Sequence, residues 1–345
     1  MTPVLPMLGS GAAPLVAVPV FSEPARVMQR IVLVAFFCAM QSLAVAQDNF
    51  PTRTIKFVVP LPPGPTADVL PRILADKLAA RWGQPVIVEN RPGAANNIGA
   101  ELVAKAEPDG YTLLATPPGP LVISQSFYPK LGFDPSAFVP ISIFAAQPFV
   151  LVVNPRVPVS TLQELIAFAK ANPEKINFAS GGTGSSPHLT GEMFRIAAGI
   201  HILYVPYPGL GPAMTDLLAG RTDMMIDNLG NTLPHIQSGK LKALGVASET
   251  RIPELPDVPA IAEVFPGFYS SSWFAVVAPP KTPSNIADRL SHGIVETLRL
   301  PDVAKRFRDL SVTPVGTSPA ETAAFLKRDA ERWRDVIVSG GIKPE

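Results

Sequence analysis

Cysteine is almost absent from this sequence of 345 residues, and the one cysteine, Cys38, lies near the N-terminus. Disulfide frameworks and thiolate metal sites need several cysteines, so both are excluded for the body of the chain. An excess of charge of one sign is also missing, because the formal net charge is +1 and no run of like charges occurs. Nucleic-acid binding normally needs a concentrated basic face, so a nucleic-acid partner is excluded as well.

Metal-ligand and catalytic motifs are missing too. The four histidines, His188, His201, His235 and His292, are not spaced like metal ligands, and no paired-carboxylate signature occurs. We therefore predict no metal and no cofactor. Ser185 and His188, with Asp227, invite the alternative of a secreted serine hydrolase, but the flanking glycine of a nucleophile elbow is absent after Ser185.

The N-terminal region carries the longest apolar run before the folded part of the chain. Residues 31–40 (IVLVAFFCAM) follow Arg26 and Arg30, and small residues occur at Ala44 and Ala46. The run is shorter than the roughly 20 residues of a membrane-spanning helix. The pattern predicts a signal peptide over residues 1–46, with residues 1–27 either untranslated or an extra leader before Met28. A retained membrane anchor is the alternative.

From residue 55 onward, short β-branched runs alternate with longer stretches of helical periodicity. Strands are predicted over 55–60, 86–88 and 111–115, with a helix over 66–82. This order predicts parallel strands with helices on both faces. The same order restarts after a strand at 149–153, and the chain returns through a strand at 273–278.

The strands at 149–153 and 273–278, where the chain would leave the first lobe and return to it, predict an α/β protein of two lobes. The first lobe comprises 47–149 together with 273–345, and the second comprises 150–272. Each lobe is expected to hold a mostly parallel sheet flanked by helices. Such a topology places a ligand cleft between the lobes, where loops follow the carboxyl ends of the strands.

Four loops at predicted strand ends carry the candidate ligand-binding residues. Each loop precedes a helix, whose first N–H groups and partial positive charge suit an anion, and glycines let the backbone approach a ligand. With one acid at another strand end, the candidates are Leu61, Pro62, Gly64, Thr66, Asp68, Thr116, Gly119, Ser180, Gly182, Thr183, Ser185, His188, Tyr207, Gly209 and Asp227.

Structural roles remain open as alternatives for several of these candidates. Asp68 and Asp227 are also typical of residues that cap a helix or a turn. The glycine loop that begins at Ser180 is also typical of a helix-capping turn. Tyr207 fits a packed core as well as a binding site, and His188 fits a structural role.

A set of motifs in order over the chain from Phe50 resembles the periplasmic substrate-binding receptors of tripartite tricarboxylate transporters, often called the Bug or TctC family. The matching motifs are 51–53 (PTR), 58–60 (VVP), 83–86 (GQPV), 89–94 (ENRPGA), 97–100 (NIGA), 108–114 (PDGYTLL), 182–185 (GTGS), 188–189 (HL), 205–207 (VPY) and 234–236 (PHI). Each motif alone is weak, but their order over the whole mature chain is specific.

This resemblance implies a type II periplasmic-binding-protein fold and a periplasmic receptor, expected to be a monomer. The expected ligand is a small carboxylate, and the expected partners are integral-membrane transporter subunits. Loops 61–66 and 116–119 would hold the carboxylate through backbone groups and waters, while 180–185, Tyr207 and Asp227 would confer specificity. A ligand sensor without a transport role is an alternative.

The chain departs from the family pattern at three places. Pro65 follows Gly64 where a second glycine is usual, Ala95 and Asn96 replace a Gly-Gly pair, and Pro117 and Pro118 stand where small hydroxyl residues are common. Each change removes flexibility or an N–H from the expected carboxylate site, so an unusual ligand or weaker binding of the carboxylate is expected.

Overall fold

Residues 50–343 are described by the structure, which is a computed structural model. The predicted signal peptide lies outside these residues. The strands are β1 Ile55–Val59, β2 Val86–Asn90, β3 Thr112–Thr116, β4 Val139–Val153, β5 Asn177–Ser180, β6 Leu203–Pro206, β7 Met224–Asn228, β8 Lys242–Val246, β9 Ser271–Ala278 and β10 Thr313–Pro314.

The helices lie between these strands and after β9. The α-helices are α1 Thr66–Trp82, α2 Asn97–Ala104, α3 Ser124–Phe127, α4 Leu162–Ala171, α5 Ser186–Ala198, α6 Leu210–Leu218, α7 Leu229–Gln237, α8 Ser284–Leu298, α9 Pro301–Asp309 and α10 Pro319–Ser339. A π-helical segment, Gly119–Ile123, precedes α3, and short 3-10 turns occur at Ala94–Asn96, Pro135–Ala137 and Ile261–Glu263. No helix within residues 50–343 is both long and apolar enough to cross a membrane.

Eight of the strands form one path with the order β2-β1-β3-β9-β4-β7-β5-β6, and β8 and β10 pair with β4 beside it. The 15-residue β4 takes part in both halves of this path: its residues 139–148 pair with β9, and its residues 149–153 pair with β7. The outer strands are parallel, as the β-α-β order predicts, while β4 pairs antiparallel with β7, β8, β9 and β10. The sheets are therefore mixed rather than mostly parallel, because β4 and β9 run back across the parallel sets.

Apolar side chains of β4 alternate between the two faces of the second half of the sheet. Phe149 and Leu151 belong to a core cluster with Phe178 and Phe194, whereas Val150 belongs to a cluster on the other face. Residues of a strand point alternately to opposite faces, so this half is packed on both sides. The predicted α/β class with helices on both faces is confirmed.

The predicted lobe boundaries, 149/150 and 272/273, fall inside β4 and β9. We retain these boundaries as a proposal. The first boundary lies where β4 leaves its pairing with β9 and begins its pairing with β7, and the second lies within the stretch of β9 that pairs with β4.

Candidate functional site

A cavity of about 340 Å³ lies where the loops after several strands meet. Its volume is in the range of small-molecule sites. The wall is built from loop residues and helix starts, together with four residues of the central strands. Its lining residues are Leu61, Pro62, Pro63, Pro65, Ala67, Pro92, Gly93, Ala94, Ala95, Asn96, Pro117, Phe149, Gly181, Gly182, Ser185, Ser186, Pro187, Tyr207, Pro208, Gly209, Leu210, Gly211, Pro212, Asn228, Ser272 and Phe274.

Three helices, α1, α5 and α6, begin at this cavity. The first N–H groups of a helix have no partner within the helix, and that end carries a partial positive charge. The helices have 17, 13 and 9 residues, so each is long enough to develop this charge. Their convergence makes the cavity suitable for an anion.

Four backbone N–H groups of cavity-lining residues in these first turns have no hydrogen-bond partner within residues 50–343: those of Ala67, Ser186, Leu210 and Gly211. Other first-turn donors are already used or absent. The N–H of His188 donates to Ser185 Oγ at 3.4 Å, and the N–H of Thr66 donates to Asn231 Oδ1 at 3.4 Å. Prolines at 187 and 212 have no N–H to offer.

Central strands form the floor of the cavity. Ser272 and Phe274 belong to β9, Phe149 belongs to β4, and Asn228 is the last residue of β7. Phe149 and Asn228 are direct partners in the antiparallel pairing of β4 with β7. Both phenylalanines are buried, so the floor is largely apolar, with two neutral polar side chains beside the rings.

The side chains that line the cavity carry no formal charge, because none of them is Asp, Glu, Lys, Arg or His. An anion here would depend on helix ends and neutral donors. Asn228 is 4 % exposed, and its Oδ1 has no hydrogen-bond partner. A buried polar atom without a partner is costly, so the Asn228 amide is a candidate contact for a ligand.

Six of the sequence-based candidates line the cavity: Leu61, Pro62, Gly182, Ser185, Tyr207 and Gly209. Gly182 has φ +118, a conformation that favours glycine, which lets the loop after β5 turn beside the cavity. The hydroxyl of Tyr207 donates to Asp216 Oδ2 at 2.8 Å, so the ring rather than a free hydroxyl is the feature that Tyr207 presents. The ligand-binding role of all six stays a prediction.

Asp68 lies outside the lining and takes part in a buried network. Its carboxylate accepts hydrogen bonds from Arg72 Nη2 at 3.0 Å, from Asn90 Nδ2 at 2.7 Å and from the N–H of Gly64 at 3.0 Å. Burial acts to raise the pKa of Asp68, but the bonds from Arg72 and Asn90 outweigh it and hold the pKa below its usual value. Asp68 and Gly64 thus fix the loop that begins α1.

Thr66 and Asp227 are joined through Asn231. The Thr66 hydroxyl donates to Asn231 Oδ1 at 2.9 Å, and Asn231 Nδ2 donates to Asp227 Oδ1 at 3.2 Å. Asp227 is 1 % exposed and is not among the lining residues. This chain of bonds connects the start of α1 with the start of α7, behind the cavity wall.

Ser185 and His188 do not form a nucleophile–base pair. The imidazole Nδ1 of His188 accepts the N–H of Gly184 at 3.1 Å, and Ser185 Oγ lies 3.2 Å from Ser180 Oγ. Burial lowers the pKa of His188 to about 4, so the ring is neutral at neutral pH. Ser185 therefore acts as the N-cap of α5.

The remaining candidates, Thr116, Gly119, Ser180 and Thr183, also lie outside the lining. Thr116 and Ser180 are the buried last residues of β3 and β5. The carbonyl of Thr183 accepts a hydrogen bond from the hydroxyl of Tyr128 at 2.8 Å. That bond ties the glycine loop after β5 to the segment that follows α3.

The list of sequence-based candidates omits several lining residues, namely the 94–96 turn, Phe149, Ser186, Asn228, Ser272 and Phe274. Ala94, Ala95 and Asn96 have φ values of 47, 48 and 78, a left-handed conformation that is uncommon without glycine. The ENRPGA motif marked this loop without indicating its shape. Asn228 was detectable, because it ends a strand next to a selected residue.

Comparison with known proteins gives matches over most of this chain. The family model "Tripartite tricarboxylate transporter family receptor" matches residues 70–342. Protein BugT of Bordetella pertussis is 39 % identical over 318 residues, which cover 91 % of this chain and 98 % of that protein.

Two solved structures have the same overall fold. The R. palustris protein Rpa4515 with adipate has a TM-score of 0.82 and 34 % identity, covering 86 % of this chain and 100 % of that one. MatC from Rhodopseudomonas palustris with bound malate has a TM-score of 0.79 and 31 % identity, covering 84 % and 100 %. Both likenesses extend over the described fold, which confirms the two-lobed architecture expected from the sequence.

Proposed function

Because this chain belongs to the family of tripartite tricarboxylate transporter receptors, we propose that it is an extracytoplasmic receptor that binds a small carboxylate-containing metabolite and delivers it to a membrane transporter of that type. The matched family and solved structures are solute-binding proteins and not enzymes, so the hydrolase alternative is set aside. We further propose that the chain acts in the periplasm as a monomer, exported by its N-terminal signal.

One observation carries the carboxylate part of this proposal: three helix N-termini converge on a cavity whose lining side chains carry no formal charge. The partial positive ends of helices favour an anion, and the four free N–H groups supply its hydrogen bonds. The lining is largely apolar, and a low local dielectric makes such interactions stronger than on an open surface.

A ligand panel tests the proposal directly. A compound that binds the folded state raises the melting temperature, and at a hundredfold excess over Kd the stabilisation is about 2.7 kcal/mol. We expect at least one mono- or dicarboxylate to raise the melting temperature, while the matching amides leave it unchanged. A panel of acids that leaves melting unchanged, under conditions in which BugT or MatC responds to an acid, would contradict carboxylate binding.

Gly211 offers a sharper test, because a side chain there has open space. A Cβ at this position meets no atom within 4 Å, and the residue lies in the first turn of α6. Gly211→Asp would place a second anion at the cavity while suiting the helix N-terminus. We expect a loss of affinity of more than about tenfold, or about 1.4 kcal/mol, with no loss of stability.

Two control variants separate charge from shape. Gly211→Asn has nearly the same size without the charge and is expected to retain most of the affinity. Ser284→Asp adds an acid to the exposed first turn of α8 and is expected to leave binding unchanged. Equal losses in Gly211→Asp and Gly211→Asn would show that size, not charge, matters at this end of the cavity.

A further inference from the structure

We infer that the cavity selects a ligand with one carboxylate and an otherwise uncharged, largely apolar body that carries a hydroxyl group for Asn228. This inference rests on the proposed function, because it assumes that the cavity binds a carboxylate. It goes further by excluding a second carboxylate and by naming the residue that recognises the other polar group of the ligand.

The supply of helix donors matches one carboxylate. An ionised carboxyl group has about four positions that accept hydrogen bonds. Among the described residues that line the cavity, the first turns of α1, α5 and α6 together leave four N–H groups free, those of Ala67, Ser186, Leu210 and Gly211. A second carboxylate would have to rely on the rest of the cavity, in which no lining side chain is a cation.

The floor favours an apolar body. Phe149 of β4 and Phe274 of β9 are both about 1 % exposed and present ring surface to the cavity. Leu61 and Leu210 add aliphatic surface to the same wall. A cavity of about 150 Å³ holds a benzene molecule, so about 340 Å³ accommodates one ring together with its substituents.

Asn228 is one of two polar residues on this floor, with Ser272. Its amide oxygen has no partner although the residue is almost fully buried. A hydroxyl group both donates and accepts, so it can pair with either end of an amide. A ligand hydroxyl at this point would satisfy Asn228 without introducing charge.

Asp227 opposes a second carboxylate at the same place. Its buried carboxyl group accepts the N–H of Asn228 at 2.6 Å and therefore already occupies the N-terminal end of α7. A ligand carboxylate beside Asn228 would meet a neighbouring acid instead of a free helix end. A second carboxylate there would be poorly solvated and would find the N–H of Asn228 already used by Asp227, so a neutral hydroxyl is preferred there.

Matched aromatic acids test this selectivity. The three positional isomers of hydroxybenzoate, benzoate itself and the three benzene dicarboxylates share one ring and differ only in the second substituent. We expect calorimetry to give the tightest binding for one hydroxybenzoate, about tenfold weaker binding for benzoate, and weaker binding still for all three dicarboxylates. Adipate is included as an aliphatic dicarboxylate.

Asn228→Ala isolates the hydroxyl contact. In this variant the preference for the best hydroxybenzoate over benzoate is expected to disappear. Asn172→Ala, at the end of α4 and outside the cavity, is the matched control and should keep the preference. Asn228→Ser, which is smaller and still polar, replaces the alanine variant should that variant fail to fold.

The outcomes separate this inference from the proposed function. If a benzene dicarboxylate or adipate binds more tightly than every monocarboxylate, the selectivity is wrong and carboxylate binding stands. If the preference for hydroxybenzoate persists in Asn228→Ala, then Asn228 does not recognise the hydroxyl group, and this inference is wrong. If no acid of either kind binds, both the inference and the proposed function fail.

Discussion

Asp227 shows how far burial can shift the pKa of an acid in this protein. The residue is fully enclosed, and burial raises its pKa from 3.8 to about 7, against the hydrogen bonds from Asn228 and Asn231 that act to lower it. The folded protein therefore holds a proton on Asp227 at pH values at which the unfolded chain has released it.

The pH dependence of stability follows from this difference. Between pH 7 and pH 3.8 the folded state binds more protons at Asp227 than the unfolded state does, so acidification through this window should stabilise the protein, by at most about 1.4 kcal/mol per pH unit. Asp227→Asn should remove this contribution. Urea unfolding at several pH values measures it, with the exposed Asp309→Asn as the control. An unchanged slope in Asp227→Asn would contradict the raised pKa.

The titration of His188 should change stability with pH in the direction opposite to that of Asp227. Burial lowers its pKa from 6.5 to about 4, so below pH 6.5 the unfolded state binds a proton that the folded state refuses until about pH 4. Acidification through this window should therefore destabilise the protein and offset the contribution of Asp227. His188→Asn retains an acceptor for the Gly184 N–H and removes the titration.

The measurement for His188 is again urea unfolding between pH 4 and pH 6.5. We expect His188→Asn to gain stability on acidification relative to the unmodified protein, whereas the exposed His201→Asn should behave like the unmodified protein. If stability falls as steeply on acidification in His188→Asn as in the unmodified protein, the lowered pKa of His188 is contradicted.

At this scale the sequence located the loops better than the individual contacts. The candidates Ser185 and Gly182 line the cavity, whereas Asp227 is not among the lining residues and its neighbour Asn228 is. Consecutive residues of a strand point to opposite faces, so a difference of one position separates a cavity contact from a buried network. Only the register of β7 against β4 decides which of the two residues faces the cavity.

Among the elements, β4 was the least predictable. Sequence reasoning found its last five residues, 149–153, whereas the strand runs over Val139–Val153. Pro140 and Pro148 lie within it, and proline usually argues against a central strand. Pairing of this strand with β9 is interrupted by shifts of register near Pro140, which accommodate a residue without an N–H.

Helix ends were easier to predict, because their signals are local. Ser318 caps α10 with Glu321 in a capping box, and Gly83 ends α1 in a left-handed conformation, both as the sequence indicates. At α4 the N-cap is Thr161, whose hydroxyl accepts the N–H of Glu164, while the carboxylate of Glu164 accepts the N–H of Ser160.

The segment after α3 and the glycine loop after β5 depend on each other. Tyr128 donates its hydroxyl to the carbonyl of Thr183, and a Cβ on Gly184 would come within 3 Å of Phe127 and Tyr128. Tyr128→Phe removes only the hydrogen bond and should cost about 0.5–1.5 kcal/mol in stability. Because Gly182 in the same loop lines the cavity, we also expect weaker ligand binding.

Chemical unfolding and calorimetry measure these two effects of Tyr128→Phe. Tyr269→Phe removes an exposed hydroxyl contact with Ser271 and is the matched control, expected to change neither quantity. A stable Tyr128→Phe variant with unchanged affinity would show that the bond does not hold the loop in its binding conformation.

For the whole molecule, the two-lobed α/β architecture followed from the alternation of strands and helices and from the order of the family motifs. The position of the cavity did not follow from these patterns alone. It depends on β4 pairing with β9 over one half of its length and with β7 over the other, which brings Phe149, Asn228 and Phe274 onto one floor. Such long-range pairing leaves no local signal in the sequence.

The overall charge balance leads to a last prediction. The protein has a net charge of +1, and the side chains that line the cavity are uncharged, so ligand attraction depends on short-range helix ends and buried donors. Dissolved salt screens exposed charges over distances of about 8–10 Å at moderate ionic strength but affects buried interactions much less. Affinity for a bound carboxylate should therefore change by less than about twofold between low salt and about 0.5 M salt.

Gly211→Lys, which adds a cation at an open position, should bind the carboxylate more tightly at low salt and lose that gain as salt rises. A salt dependence of the unmodified protein as steep as that of Gly211→Lys would mean that a charged side chain attracts the ligand.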